Sequence, residues 1–234
     1  MSSADFDEQL NPARDAVVGD RAIAAWEIAS VASSVLIAEW ILAAAVDRSR
    51  LIVAVPITLA FILMISSHRV RGETLRDLGF RFDNFLRAAW FVLLPMAVIT
   101  AACLVIGWSF GAQIDFMRWH GERPIAGQLA LGFGWGFVQQ YVLQSFMNRR
   151  AKIILGSGWL SILLVAAVFA GLHLPNPWLT LVTFLGGLVW ATVYQRAPNI
   201  FALAISHSLM TWVLVSTLPA SAINHLRIGF KYFA

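Results

Sequence analysis

Five side chains in this 234-residue chain could do chemistry where membrane lipid is otherwise expected: Gln139, Gln140 and Gln144 in "GFVQQYVLQSFMNRR", His173 in "FAGLH" and His207 in "ISHSLMTW". An imidazole can give or take a proton or ligate a metal, whereas an amide can only donate and accept hydrogen bonds. Polar groups at membrane depth are costly unless they meet partners or line a wet cavity. On a helix Gly136, Gln140, Gln144 and Asn148 are successive i+4 positions forming one stripe, with Gln139 beside it. Gly132 and Gly136 make a GxxxG pair that permits close helix approach, and Thr211 follows His207 by one turn. Taken singly, each polar residue reads as hydrogen-bonding glue between helices, worth about 0.6 to 2 kcal/mol. Two histidines on separate helices and an amide face on a third can instead converge on one cavity.

Membrane helices must position these residues. Hydrophobic residues make up 59% of the chain and charged residues 13%, about half the charge of an ordinary soluble domain. The fold expected is an all-α polytopic membrane bundle. Apolar runs near 22–46, 51–67, 86–109, 128–147, 153–172, 178–194 and 200–218 give about seven transmembrane helices. Proline in "HLPNPW" and "QRAPN" marks the boundaries of the last three. With uninterrupted crossing His173 lies at the far end of its span while His207 lies about 10 Å from the opposite end. A short or re-entrant region near 170–180 brings the two level, since broken backbone is tolerated where protein covers it.

Residues 1–20 read as a short tail without the apolar core of a signal peptide, and 21–234 as a single membrane domain. The one cysteine, Cys103, excludes an intramolecular disulfide and a multi-thiolate metal site. The basic excess suggests no nucleic-acid partner, because the cations cluster between apolar runs. Eleven of the 17 Lys and Arg residues fall on the side of the N-terminus, which the positive-inside rule places in the cytoplasm. The loop "HRVRGETLRDLGFRFDNFLR" reads either as a short interfacial helix burying Leu75, Leu78, Phe80 and Phe82 or as an ordinary positive-inside loop.

The order and spacing of "FAGLH", the "LPN" and "APNIFALAISH" phrases and the "ETLRDLGF" loop resemble the CAAX protease and bacteriocin-processing (CPBP, or Abi) family of intramembrane metalloproteases. The likeness centres on 128–214. That family carries Glu-Glu-x-x-x-Arg, Phe-x-x-x-His and His-x-x-x-Asn/Asp motifs on successive helices. The resemblance implies catalytic positions at Gln139, Gln140, His173 and His207. It implies substrate or oxyanion positioning by Gln144, Phe169 and Thr211, and metal ligation by His173 and His207 if a divalent ion such as zinc is bound. It also implies a bacterial plasma-membrane location, contact with the lipid bilayer, and a membrane-associated peptide or prenylated, hydrophobic substrate.

The first motif departs from the family's: Gln139 and Gln140 replace the glutamates, Gln144 the arginine, and Thr211 the Asn or Asp. A carboxylate can take a proton from water; a neutral amide cannot, and losing a general base costs about 10² to 10⁴ in rate. The expectation is an intramembrane endopeptidase homologue with reduced or no proteolytic activity. The alternative is a catalytically silent binding or scaffold protein holding a hydrophobic peptide, lipid or partner helix. A transporter fits less well, as no internal repeat is visible. Glu39, in the first span, is a candidate replacement base. Glu27 lies 12 residues away, about 120° around the helix, and reads as snorkelling at the cytoplasmic end.

Overall fold

The computed structural model describes residues 12–42, 50–117 and 125–233, and the regular structure among them is helical, without a strand. The expected tail falls outside the described residues up to position 11. From Pro12 the chain is already in α1 (Pro12–Leu36), which runs on as a π-helical turn, Ile37–Leu42. Helices α2 (Arg50–Val70) and α3 (Phe85–Ser109) follow. Then α4 (Ile125–Gln140) continues through a π-helical segment, Tyr141–Asn148, into α5 (Arg149–Leu155). The chain proceeds through α6 (Trp159–Gly171), α7 (Pro177–Arg196) and α8 (Ile200–Thr217). A C-terminal segment holds α9 (Ala220–Ile223) and 3₁₀ turns at Asn224–Leu226 and Gly229–Phe233.

Among the described residues five helices are long and apolar enough to cross a membrane: Val17–Leu42, Leu51–Val70, Phe85–Ser109, Pro177–Arg196 and Ile200–Thr217. The other two expected spans differ for local reasons. The glutamines of α4 and its π-helical continuation dilute its apolar character, and α6 has only 13 residues, about 20 Å of rise. It stops at Gly171, and residues 172–176 turn the chain into α7. The polar backbone of that turn is satisfied by the C-terminal segment. Gly229 N donates to Leu174 O at 2.9 Å, and the Asn176 amide donates to Ile223 O at 2.7 Å and Arg227 O at 3.1 Å. Asn176 also caps α7 by accepting from Leu179 N, as Asn199 caps α8 by accepting from Ala202 N.

Apolar side chains cover the outside of the bundle and also fill most of its core, with a minority of buried polar groups among them. Trp26, Leu51, Leu86 and Trp108 are largely exposed, as lipid-facing side chains are. At the centre lies the π-helical segment, whose residues from Leu143 to Asn148 are all buried. Phe146 packs there among Val31, Met64, Val92, Val165 and Leu203, drawn from α1, α2, α3, α6 and α8.

The loop after α2 is a series of turns and not an interfacial helix. Leu78 is buried, and its carbonyl accepts from Ser145 Oγ at 2.7 Å. Phe80 packs on Phe137 and Tyr141. Leu75 and Phe82 stay exposed. The loop therefore plugs one end of the bundle.

Beneath this loop sits a charge cluster. Arg150 is fully buried. Its Nε lies 2.8 Å from a Glu27 carboxylate oxygen, its Nη1 2.9 Å from Glu73, and its Nη2 donates to Ser67 at 2.8 Å. Glu27 also faces Arg71 at 3.5 Å. It is paired inside the protein and does not snorkel, because α1 and α5 pack together. Burial alone would raise the pKa of Glu73, but hydrogen bonds from His68, Arg150 and Arg149 outweigh it and hold the carboxyl well below its usual range.

Replacing Arg150 with Met should destabilise the protein by about 3 to 5 kcal/mol, the cost of breaking a buried pair from one side, measurable by denaturant unfolding in lipid-detergent micelles. The depressed pKa of Glu73 contributes stability that is complete above the unfolded carboxyl's value and is lost as pH falls towards the folded value. Unfolding midpoints should accordingly drop below about pH 4.5, and Glu73→Gln should flatten that part of the profile.

Candidate functional site

A cavity of about 680 Å³ opens among α1, α2, α3, α4, α6, α7, α8 and the C-terminal segment, within the range of small-molecule sites. Its wall is mostly aliphatic and aromatic. Of the residues expected to do chemistry, Gln139, Phe169, His173, His207 and Thr211 line it. Gln140 and Gln144 are fully buried and lie behind the wall.

The two histidines meet because α6 is short. His173 follows the end of α6, and its ring turns back so that Nδ1 lies 2.7 Å from the Phe169 carbonyl oxygen. Its imidazole packs on the Phe169 ring at 4.8 Å, and the His207 imidazole packs on the same ring at 6.0 Å. The separation implied by uninterrupted crossing is thereby removed. Since a carbonyl can only accept, His173 carries its proton on Nδ1 and keeps a lone pair on Nε2.

His207 is held on three sides. Its ring stacks on Trp190 at 4.6 Å with planes 6° apart. Its Nδ1 lies 3.1 Å from Gln140 Nε2. Gly136 leaves room for α8, since a Cβ there would lie 3.1 Å from Ala204 O and 3.3 Å from His207 Cβ. With the Gln140 amide donating, Nδ1 of His207 accepts and its Nε2 bears the proton. The pair thus combines one imidazole N–H donor with one imidazole acceptor. Thr211 donates its hydroxyl to the His207 carbonyl at 3.0 Å, which occupies its proton within α8.

The expected stripe is real and faces α7 and α8. Below Gln140, the Asn148 amide donates to Gln144 Oε1 at 2.8 Å and Ala191 O at 3.2 Å, and its oxygen accepts from Gln195 at 2.9 Å. Gln195 also reaches Ser161 at 3.0 Å. Gln140 Oε1 and Gln144 Nε2 are buried without a partner. They stand one helical turn apart at the positions where the resemblance expects a glutamate and an arginine. Trp190 carries no signal in the sequence, because 178–194 reads as a uniform apolar run, and Gln195 falls just past the end of that run.

The donor set does not fit a resident zinc ion. Zinc sites use at least three protein ligands, drawn from Cys, His and carboxylates. Here two imidazoles and the Glu39 carboxylate line the cavity, and both imidazoles have Nδ1 already engaged. Among the described residues no group of three His, Cys, Asp or Glu side chains is placed to hold a metal.

Asn148→Leu should destabilise by several kcal/mol, at about 1 to 3 kcal/mol for each buried partner left unmade. Gln139→Leu, on the cavity wall, should leave the unfolding midpoint nearly unchanged. Thermal unfolding of the two variants side by side checks the assignment.

No curated protein and no solved structure matches the chain. A family model does, that of the type II CAAX prenyl endopeptidase Rce1-like proteins, over residues 87–213, which takes in helices α3 to α8 and every cavity residue named above. With more than half of the chain matched and the two histidine helices brought to one cavity, the protein is an integral membrane protein that belongs to the Rce1-like type II CAAX prenyl endopeptidase family.

Proposed function

We propose that this chain retains the substrate cavity of an intramembrane CAAX-type endopeptidase and has lost the proton acceptor of its first motif. It binds a hydrophobic peptide or prenylated segment and cleaves it slowly or not at all. One observation carries this reading: Gln140, the second position of the altered motif, is fully buried and donates its amide to His207. A carboxylate in that place could accept a proton from water or from the imidazole. A neutral amide can only orient the ring. The remaining lone pair on His173 Nε2 is a neutral base facing the cavity, and among the described residues no carboxylate is hydrogen-bonded to that ring to stabilise the imidazolium that proton transfer would form.

The neutral stripe supports the same view. Gln140 and Gln144 stand where the resemblance expects an ion pair, and together with Asn148 and Gln195 they form a stripe of neutral amides on which the helices pack. Restoring the acids alone would bury unpaired charge; restoring Arg with them re-creates a pair. The triple variant Gln139→Glu, Gln140→Glu, Gln144→Arg should therefore cleave a prenylated CAAX-type peptide about 10² to 10⁴ times faster than the unaltered protein. Equal rates in both would sink the proposal.

Two further features belong to it. The protein works without a resident metal, so metal analysis of the purified protein should find far less than one zinc per chain. The N-terminus faces the cytoplasm, on the strength of the basic residues at that side. A cysteine introduced at Ser2, in a background with Cys103→Ala, should react with an impermeant maleimide only after cell lysis.

A further inference from the structure

The cavity has a polar group that the peptidase motifs do not include. Glu39 lies in the first apolar span, within the π-helical turn Ile37–Leu42, and lines the cavity wall together with His173 and His207. Among the described residues of that wall it is the only one with a formal charge; no Lys or Arg joins it. It is partly buried and makes no hydrogen bond or ion pair with a described residue. This sets it apart from Glu27 and Glu73, whose carboxylates are both engaged by Arg150.

The turn is held in place from the C-terminal segment. Gly229, at φ 58°, sits so close that a Cβ would lie 3.0 Å from the Glu39 carbonyl oxygen and 3.1 Å from the Trp40 ring. Phe230 packs edge-on against Trp40 at 5.4 Å. Leu226 and Ile228 of the same segment line the cavity. The backbone that carries Glu39 is thus packed in place beside an apolar volume.

A lone carboxylate at membrane depth is costly unless a cation meets it. The cavity offers apolar walls and the ring faces of aromatic residues, which also attract cations. Here the neutral histidines add no opposing charge. We propose that the cavity is a binding site for a lipophilic monocation, a protonated amine or comparable onium group on an apolar body, with Glu39 as its counter-ion. The inference rests on the cavity being a binding cavity, as argued above, and is independent of whether any peptide bond is cleaved.

Tetraphenylphosphonium and tetraphenylborate have nearly the same shape and opposite charge, and they serve as probes. Binding of each to the purified protein in nanodiscs of neutral lipid would be measured by equilibrium dialysis against empty nanodiscs. The phosphonium should bind saturably and the borate should not exceed background. Glu39→Gln should weaken phosphonium binding about tenfold or more, and Glu39→Asp should recover most of it. The recovery, with an unchanged unfolding midpoint, separates loss of the charge from loss of the fold. Val35→Trp, one turn from Glu39 on the cavity wall, keeps the charge and fills the space, and should also abolish binding. Absence of phosphonium binding, or phosphonium binding indifferent to Glu39→Gln, overturns the proposal. Equal uptake of both ions that Val35→Trp blocks overturns cation selection while leaving the binding cavity intact. Uptake that Val35→Trp leaves unchanged places the site elsewhere and overturns both.

Discussion

The structure depends on the burial of Arg150. A guanidinium with no exposure to solvent, in a chain surrounded by lipid, must find its counter-charges within the protein. It finds them on α1 through Glu27 and on the loop after α2 through Glu73, and it also donates to the neutral hydroxyl of Ser67 on α2. That single side chain ties the first helix, the second helix and the turn-rich loop to α5. Its ring contact with Phe146, 4.8 Å away, continues the connection into the π-helical centre of the bundle. The position of α4 relative to α1, and so the shape of the cavity between them, follows from this attachment.

Along the same continuous helix, from Gln140 to Arg150, the character of the polar contacts changes. At the Arg150 end they are ionic and shared among several charges. Toward the cavity they become neutral amides, Asn148, Gln144 and Gln140, each with at least one partner on the facing helices or on the stripe itself. A stripe of neutral amides packs without a buried ion, whereas a stripe carrying one sign of charge would leave that ion uncompensated. The two unpartnered amide atoms, on Gln140 and Gln144, are the exceptions to its hydrogen bonding.

The short α6 has the largest effect on the site. A helix of ordinary spanning length would carry His173 beyond the reach of His207. Ending after 13 residues, and with its turn hydrogen-bonded to the C-terminal segment, it sets both imidazoles against Phe169. The same C-terminal segment braces the Glu39 turn through Gly229 and Phe230. One short stretch of chain thus closes the broken helix on one side of the cavity and packs against the backbone of the Glu39 turn on another.

The sequence alone determined that the chain is a membrane bundle, because its apolar runs and scarce charge leave no other way to satisfy the backbone. It also determined that Gln140, Gln144 and Asn148 share a face, since i+4 spacing is local and survives the π-helical segment. What only the tertiary structure decided depends on contacts between helices far apart in the chain. Glu27 reads as a snorkelling acid until α5 packs against α1 and brings Arg150 to it. Trp190 is one aromatic among ten tryptophans until α7 and α8 pack and lay it on His207. Glu39 is one acid in an apolar span until the C-terminal turns fold back beside it. Hydrophobic periodicity fixes which residues share a helix face, but not which distant face will meet it, and at this site the chemistry lies in that meeting.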